Sequence, residues 1–195
     1  MSKFNMKVTP EIEKLTQICR ENDKLDLSLY GKYDVKRGLR DLNGKGVLAG
    51  LTQVSNVQAT KIVDGKEVPC AGKLSYRGYD IKDLTNGFIN DRRFGFEEVT
   101  YLLLFGKLPD QEELNEFSGI LANQRMLPRN FVRDVIMKAP SRDIMNALSR
   151  SVLTLYSYDK DPDNIELENV LRQCINLISV FPLLSVYAYQ AYKPL

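Results

Sequence analysis

The stretch that most constrains this chain is its last one, roughly Ile165 to Tyr192. It reads as one long helix whose second half, Leu183-Leu-Ser-Val-Tyr-Ala-Tyr189, is apolar nearly all round. Such a helix is expected to be buried on every side, because monomers rarely leave an apolar patch beyond roughly 300–600 Å² on their surface. The preceding residues must therefore build a core that receives it. Two things could cover the face they leave over: a second copy in an isologous dimer, or further chain past Leu195.

The preceding residues are expected to be helical from Ile81 onward. In Phe96 to Phe105 the residues to bury are Val99, Leu102, Leu103 and Phe105, with Gly106 as a stop and Pro109 preventing resumption. Asp110 and Glu113 form a capping box for a helix carrying Leu114, Phe117 and Leu121. Such a cap is worth about 1 kcal/mol. Pro128 opens a short helix with Phe131, Val135 and Ile136 inward, and Pro140 ends it. Ser141 caps a longer helix in which Ile144, Leu148, Val152 and Leu155 recur at helical spacing, a stripe that reads as core rather than as a cofactor site. Asp159-Lys-Asp-Pro-Asp-Asn164 reads as a solvated turn. It lacks the glycine and terminal glutamate of a calcium loop, so no metal ligand is assigned.

Residues 1–30 read as an N-terminal helix, with Thr9 as N-cap, Pro10 in the first helical position, and Ile12, Leu15, Ile18 and Cys19 on one face. A lone helix of this length is marginal in water and must pack on something. Residues 31–195 make up the remainder. Its β content lies between Gly31 and Ala71, where Val47 to Val57 is rich in strand formers. Asp64-Gly65 sits between Thr60–Val63 and Lys66–Val68 in the manner of a tight hairpin turn. From Gly72 a strand then turns at Gly78 into a short helix, capped by Asp80 and with Gly87 available to end it. The fold class is thus mainly α, multi-helical, with a small hairpin or sheet near residues 46–77. No internal repeat or low-complexity linker interrupts it.

Composition narrows the function. The sequence contains no histidine, so no imidazole base, acid or metal ligand can come from these residues. A net charge of +2 and the lack of basic stripes, Lys36, Arg37 and Arg40 being the nearest approach, give no support to a nucleic-acid surface. Cys19, Cys70 and Cys174 are odd in number and widely spaced, which reads as reduced thiols in a cytoplasmic protein. There is no signal peptide and no unbroken run of eighteen apolar residues, so neither secretion nor membrane insertion is expected.

Lys73-Leu-Ser-Tyr-Arg-Gly-Tyr-Asp-Ile81, Phe96-Glu-Glu-Val99 and Leu102-Leu-Leu-Phe-Gly-Lys-Leu-Pro109, in that order and spacing, resemble the N-terminal half of citrate synthases. Gly38-Leu-Arg40 and Gly46-Val-Leu-Ala-Gly-Leu-Thr52 upstream are similar to the family as well. So are Leu127-Pro128, Ala139-Pro140 and Phe181-Pro-Leu-Leu-Ser-Val-Tyr-Ala-Tyr-Gln190 downstream. The resemblance runs from about Tyr33 to Tyr192. Pro140-Ser-Arg-Asp-Ile-Met145 departs from the His-Pro-Met often found in the family, which points to a variant branch.

The resemblance implies a part of the family's large helical domain, in an enzyme that condenses acetyl-CoA with oxaloacetate to citrate and CoA. A carboxylate and two histidines do that work in the family, in the half that follows the part resembled here. No catalytic residue is therefore assigned, and the chain alone is expected to be inactive. The resemblance offers one ligand contact, Arg40 on a CoA phosphate, which a guanidinium fork suits; the alternative is that Arg40 ties its loop to the sheet. Arg77 is expected to form a structural ion pair. No covalently bound cofactor is implied, and a homodimer through the C-terminal helices is. The alternatives are a non-catalytic paralogue serving as a dimerisation or regulatory module, and part of a 2-methylcitrate synthase.

Overall fold

A computed structural model describes residues 7–36, 38–40 and 46–193. Among them are the helices α1 (Pro10–Asn22), α2 (Ser28–Lys32), α3 (Ile81–Asn90), α4 (Phe96–Phe105), α5 (Gln111–Asn123), α6 (Ile144–Tyr156) and α7 (Leu167–Tyr192). A π-helical turn spans Val132–Met137, and three antiparallel strands, β1 (Ser55–Val63), β2 (Lys66–Tyr76) and β3 (Tyr79–Asp80), lie in the order β1-β2-β3. The protein is mainly helical with one small sheet, as its sequence predicts. It divides into two compact units, one of residues 18–114, the other of residues up to Gln17 together with those from Asn115 onward.

In the first unit the sheet is a long hairpin. Asp64 and Gly65 make its turn with φ of 49° and 72°, the paired left-handed geometry in which Asp-Gly is favoured. The strands extend well beyond the short runs expected, since β1 pairs with β2 from Ser55↔Tyr76 to Val63↔Lys66, with an irregularity between Gln58 and Thr60. Every residue of β1 is exposed. The strand content expected from Val47 begins only at Ser55; among the described residues before it there is no strand beyond the isolated bridge of Arg40 with Gly46. At the other end Arg77 and Gly78, both at positive φ, turn the chain into β3 and α3.

Local capping explains several helix boundaries. The Asp80 carboxylate accepts the Lys82 N–H at 2.9 Å and starts α3, but Gly87 does not end it: the helix runs on to Asn90, and the Gly87 carbonyl accepts from Asp91. Gly106 stops α4 at φ 77°. Tyr101, Leu102 and Phe105 are the buried residues of α4, with Val99 and Leu103 half-buried. Asp110 and Glu113 cap α5 reciprocally, Glu113 N–H to Asp110 Oδ1 at 2.9 Å and Asp110 N–H to Glu113 Oε2 at 3.1 Å. Thr9 Oγ1 accepts from Ile12 N–H at 3.4 Å, and Ile12, Leu15, Thr16 and Cys19 of α1 are buried.

The second unit packs α6, α7 and the π-helical turn around Phe131, Ile136, Leu155, Val180 and Leu184, with Leu127, Val135, Ile144, Leu148 and Leu177 against them. Three expectations are corrected here. The segment after Pro128 is a π-helical turn rather than an α-helix. The N-cap of α6 is Asp143, whose Oδ1 accepts from Asn146 N–H at 3.0 Å, while Ser141 Oγ accepts from Asp143 N–H one step earlier. The fully buried spine of α6 is Ala147, Ser151 and Leu155, with Ile144, Leu148 and Val152 half-buried beside it.

The helix α7 is not enclosed on every side. Leu184 and Ala188 are buried, while Phe181, Val186, Tyr187, Tyr189 and Tyr192 are exposed. Its length and mean hydropathy of 1.4 would also suit a bilayer, but it spends Leu171, Ile175, Val180 and Leu184 as buried residues of the protein itself.

Candidate functional site

Arg40 lies in a strip held by backbone hydrogen bonds, Lys36 N–H to Leu48 C=O at 2.7 Å and Val47 N–H to Leu39 C=O at 3.3 Å, with Arg40 bridged to Gly46. It is exposed, and the three-stranded sheet does not include it. Its neighbour in sequence Arg37 lies outside the described residues. Lys36 is paired with Asp34. Among the described residues, then, Arg40 is an exposed side chain next to an isolated backbone bridge.

Arg77 has the opposite character. Its side chain is 6% exposed, its Nε and Nη2 donate to the Leu103 carbonyl at 3.3 and 3.0 Å, and its Nη1 pairs with Asp23 at 3.3 Å. The Leu103 carbonyl belongs to the last turn of α4, where the outward carbonyls lack helical partners and favour a cation. Arg77 thus makes the structural ion pair expected of it.

The polar cluster that the sequence reading missed is built on Arg172. This side chain is 3% exposed although it is charged, and it sits in the first third of α7. Its Nη2 donates to both oxygens of Asp159, at 2.7 and 2.9 Å, and its Nε and Nη2 reach Asn169 Oδ1 at 3.0 and 2.8 Å. Gln173 joins in, donating to Asp159 at 3.2 Å and to the Pro162 carbonyl at 3.0 Å. Burial pushes the Asp159 carboxyl up; the hydrogen bonds from Arg172, the Asp161 N–H and Gln173 outweigh it and leave the group below its ordinary value. The stretch read as a solvated turn is thus anchored at its first residue. Nothing in the sequence marked it, since an ion pair between a turn and a helix follows no set spacing.

The three cysteines are free thiols, and burial raises that of Cys174. The sequence supplies no histidine, so the charged groups brought together here are ion pairs and caps: Arg93 with Glu98, Lys107 with Glu113, Arg172 with Asp159.

These features define a helical scaffold with a short sheet, held by buried and capping ion pairs. Comparison with known proteins places it: the chain belongs to the citrate synthase family, whose sequence model, described as "Citrate synthase, C-terminal domain", matches residues 39–194. A citrate synthase of Haloferax volcanii is 37% identical over 146 residues, 74% of this chain and 32% of that protein. A 2-methylcitrate synthase of Corynebacterium glutamicum is 28% identical over 149 residues, 76% of this chain and 34% of that one. The crystal structure of citrate synthase from Pyrobaculum aerophilum superposes with a TM-score of 0.59 at 26% identity, covering 79% of this chain and 38% of that one. The matched stretch spans between 26% and 34% of the length of such curated relatives.

Proposed function

We propose that these residues correspond to the N-terminal part of the large helical domain of a citrate synthase, the transferase that joins acetyl-CoA to oxaloacetate and releases citrate and CoA. The observation that carries the reading is the pairing of family membership with a sequence that has no histidine at all. Condensation requires a proton to leave the acetyl methyl group while the thioester and oxaloacetate carbonyls are polarised. Each well-placed acid or base contributes on the order of 10²–10⁴ in rate. The family resemblance assigns those roles to a carboxylate and two histidines in the half of the enzyme that follows. These 195 residues then supply core, dimer-forming helices and, through Arg40, a contact to a CoA phosphate.

By itself the chain is inactive in this reading. The test is thiol release from acetyl-CoA with oxaloacetate present: a rate at the level of buffer is expected, and a rate well above it would overturn the assignment. The same assay with propionyl-CoA on the full-length enzyme separates citrate synthase from the runner-up, 2-methylcitrate synthase, whose members are also among the relatives.

The exposed apolar side chains of α7 support a homodimer through the C-terminal helices. The cysteines, none of them in a disulfide among the described residues, support a cytoplasmic protein.

A further inference from the structure

A recess of about 210 Å³ opens between α6, the turn after it and α7. Val152, Leu155 and Leu177 make its apolar wall, with Tyr156 beside them, and Arg172, Gln173 and Asn176 line it as well. The Tyr156 hydroxyl is already committed to Asp163, at 2.9 Å.

Two of the polar groups are not fully used. A guanidinium carries five N–H donors. Those of Arg172 on Nε and Nη2 serve Asn169 and Asp159, whereas Nη1 makes no hydrogen bond among the described residues. Asn176 is 6% exposed, lines the same recess, and its side-chain amide has no hydrogen-bond partner among the described residues. Both groups retain contact with solvent. A guanidinium edge and an amide thus face one apolar recess with only water to displace.

The charge balance selects the ligand. Asp159 already neutralises Arg172, so a carboxylate or phosphate would bring a second, uncompensated negative charge into a buried place. A neutral acceptor carries no such penalty. The volume exceeds that of cavities of roughly 150 Å³ known to hold a benzene molecule. We infer that this recess binds a small uncharged carbonyl compound on an apolar body of about benzene size, its oxygen accepting from Nη1 of Arg172 and a second polar group meeting the Asn176 amide. The inference is independent of the catalytic reading, since it uses only residues of this chain.

The test is titration of the full 195-residue chain with benzamide, followed by saturation-transfer NMR and by the thermal midpoint. Saturable binding in the low-millimolar range, about what a ligand of this size can reach, is expected, together with a rise in the midpoint. Benzoate, the same shape with a charge, is expected to bind roughly 10-fold more weakly. Asn176→Leu should weaken benzamide roughly 5- to 10-fold, the effect of one lost neutral hydrogen bond. Val152→Phe, which fills the recess from α6 without touching the Arg172 pair, should abolish it, and this variant decides the matter if Asn176→Leu fails to fold. Absence of saturable benzamide binding, benzoate binding as tight as benzamide, or affinity unchanged in the folded variants would each overturn the proposal.

Discussion

Nη2 of Arg172 donates to both carboxylate oxygens of Asp159, at 2.7 and 2.9 Å, and so ties the turn after α6 to the body of α7. Both partners are largely withdrawn from water, with side-chain exposures of 3% and 14%. In such a place the cost of losing one partner is dominated by the charge left behind.

Asp159→Asn should therefore destabilise the chain by about 3 kcal/mol, read from the urea midpoint at neutral pH. The effect should depend on pH in a defined direction. Because the folded carboxyl titrates below its ordinary 3.8, its contribution is complete above that value and lost as pH falls through the lower folded one. The stability difference between wild type and Asp159→Asn should thus narrow progressively below about pH 4. A difference that widened on acidification would mean that the carboxylate is not the stabilising species.

Gly95 is needed for lack of space rather than for its backbone angle. Its φ is −102°, open to any residue, but a Cβ there would enter the Phe88 ring, with Phe88 Cγ only 2.7 Å away. Gly95→Ala should cost about 1–3 kcal/mol by overpacking. Adding Phe88→Leu should recover part of that loss, so the double variant falls short of the sum of the two singles. Strict additivity in thermal or urea unfolding would place the strain elsewhere.

The exposed row Val186, Tyr187 and Tyr189 predicts self-association of the chain. Sedimentation should show a dimer, and Val186→Glu, at a position already 58% exposed, should shift it to monomer without loss of helicity. A wild-type chain that stays monomeric at high concentration would remove the dimer from the proposed function.

What was legible in the sequence was mostly local. The Asp110–Glu113 box, the Asp80 cap, the Asp64-Gly65 turn and the Gly106 stop each depend on residues within four positions of one another, and each stands where its letters placed it. The length of β1 was not legible: its residues are exposed throughout, so no alternation of apolar and polar side chains marked it. Gly87 misled because a glycine inside a helix costs only about 1 kcal/mol and neighbouring contacts can absorb it. Ser141 misled for a related reason, since Asp143 two residues on is an equally good cap and only packing chooses between them. The Arg172 cluster was invisible for want of a pattern, an ion pair between a turn and a helix having no fixed spacing to search for. As for Arg40, the letters supplied the residue and the structure supplies its exposure beside an isolated bridge to Gly46.

The discontinuity of the second unit bears on synthesis. Its first contribution, ending at Gln17, meets its partners only across the sequence, as when Lys14 Nζ reaches Glu116 Oε2 at 2.6 Å. The ribosome must therefore add roughly a hundred residues before the part of α1 up to Gln17 can join its unit, a wait of about 5–20 s at 5–20 residues per second. The intervening unit is continuous and can fold during that wait. Ile12 and Leu15, on the part of α1 that belongs to the second unit, wait for that later stretch before their burial is complete.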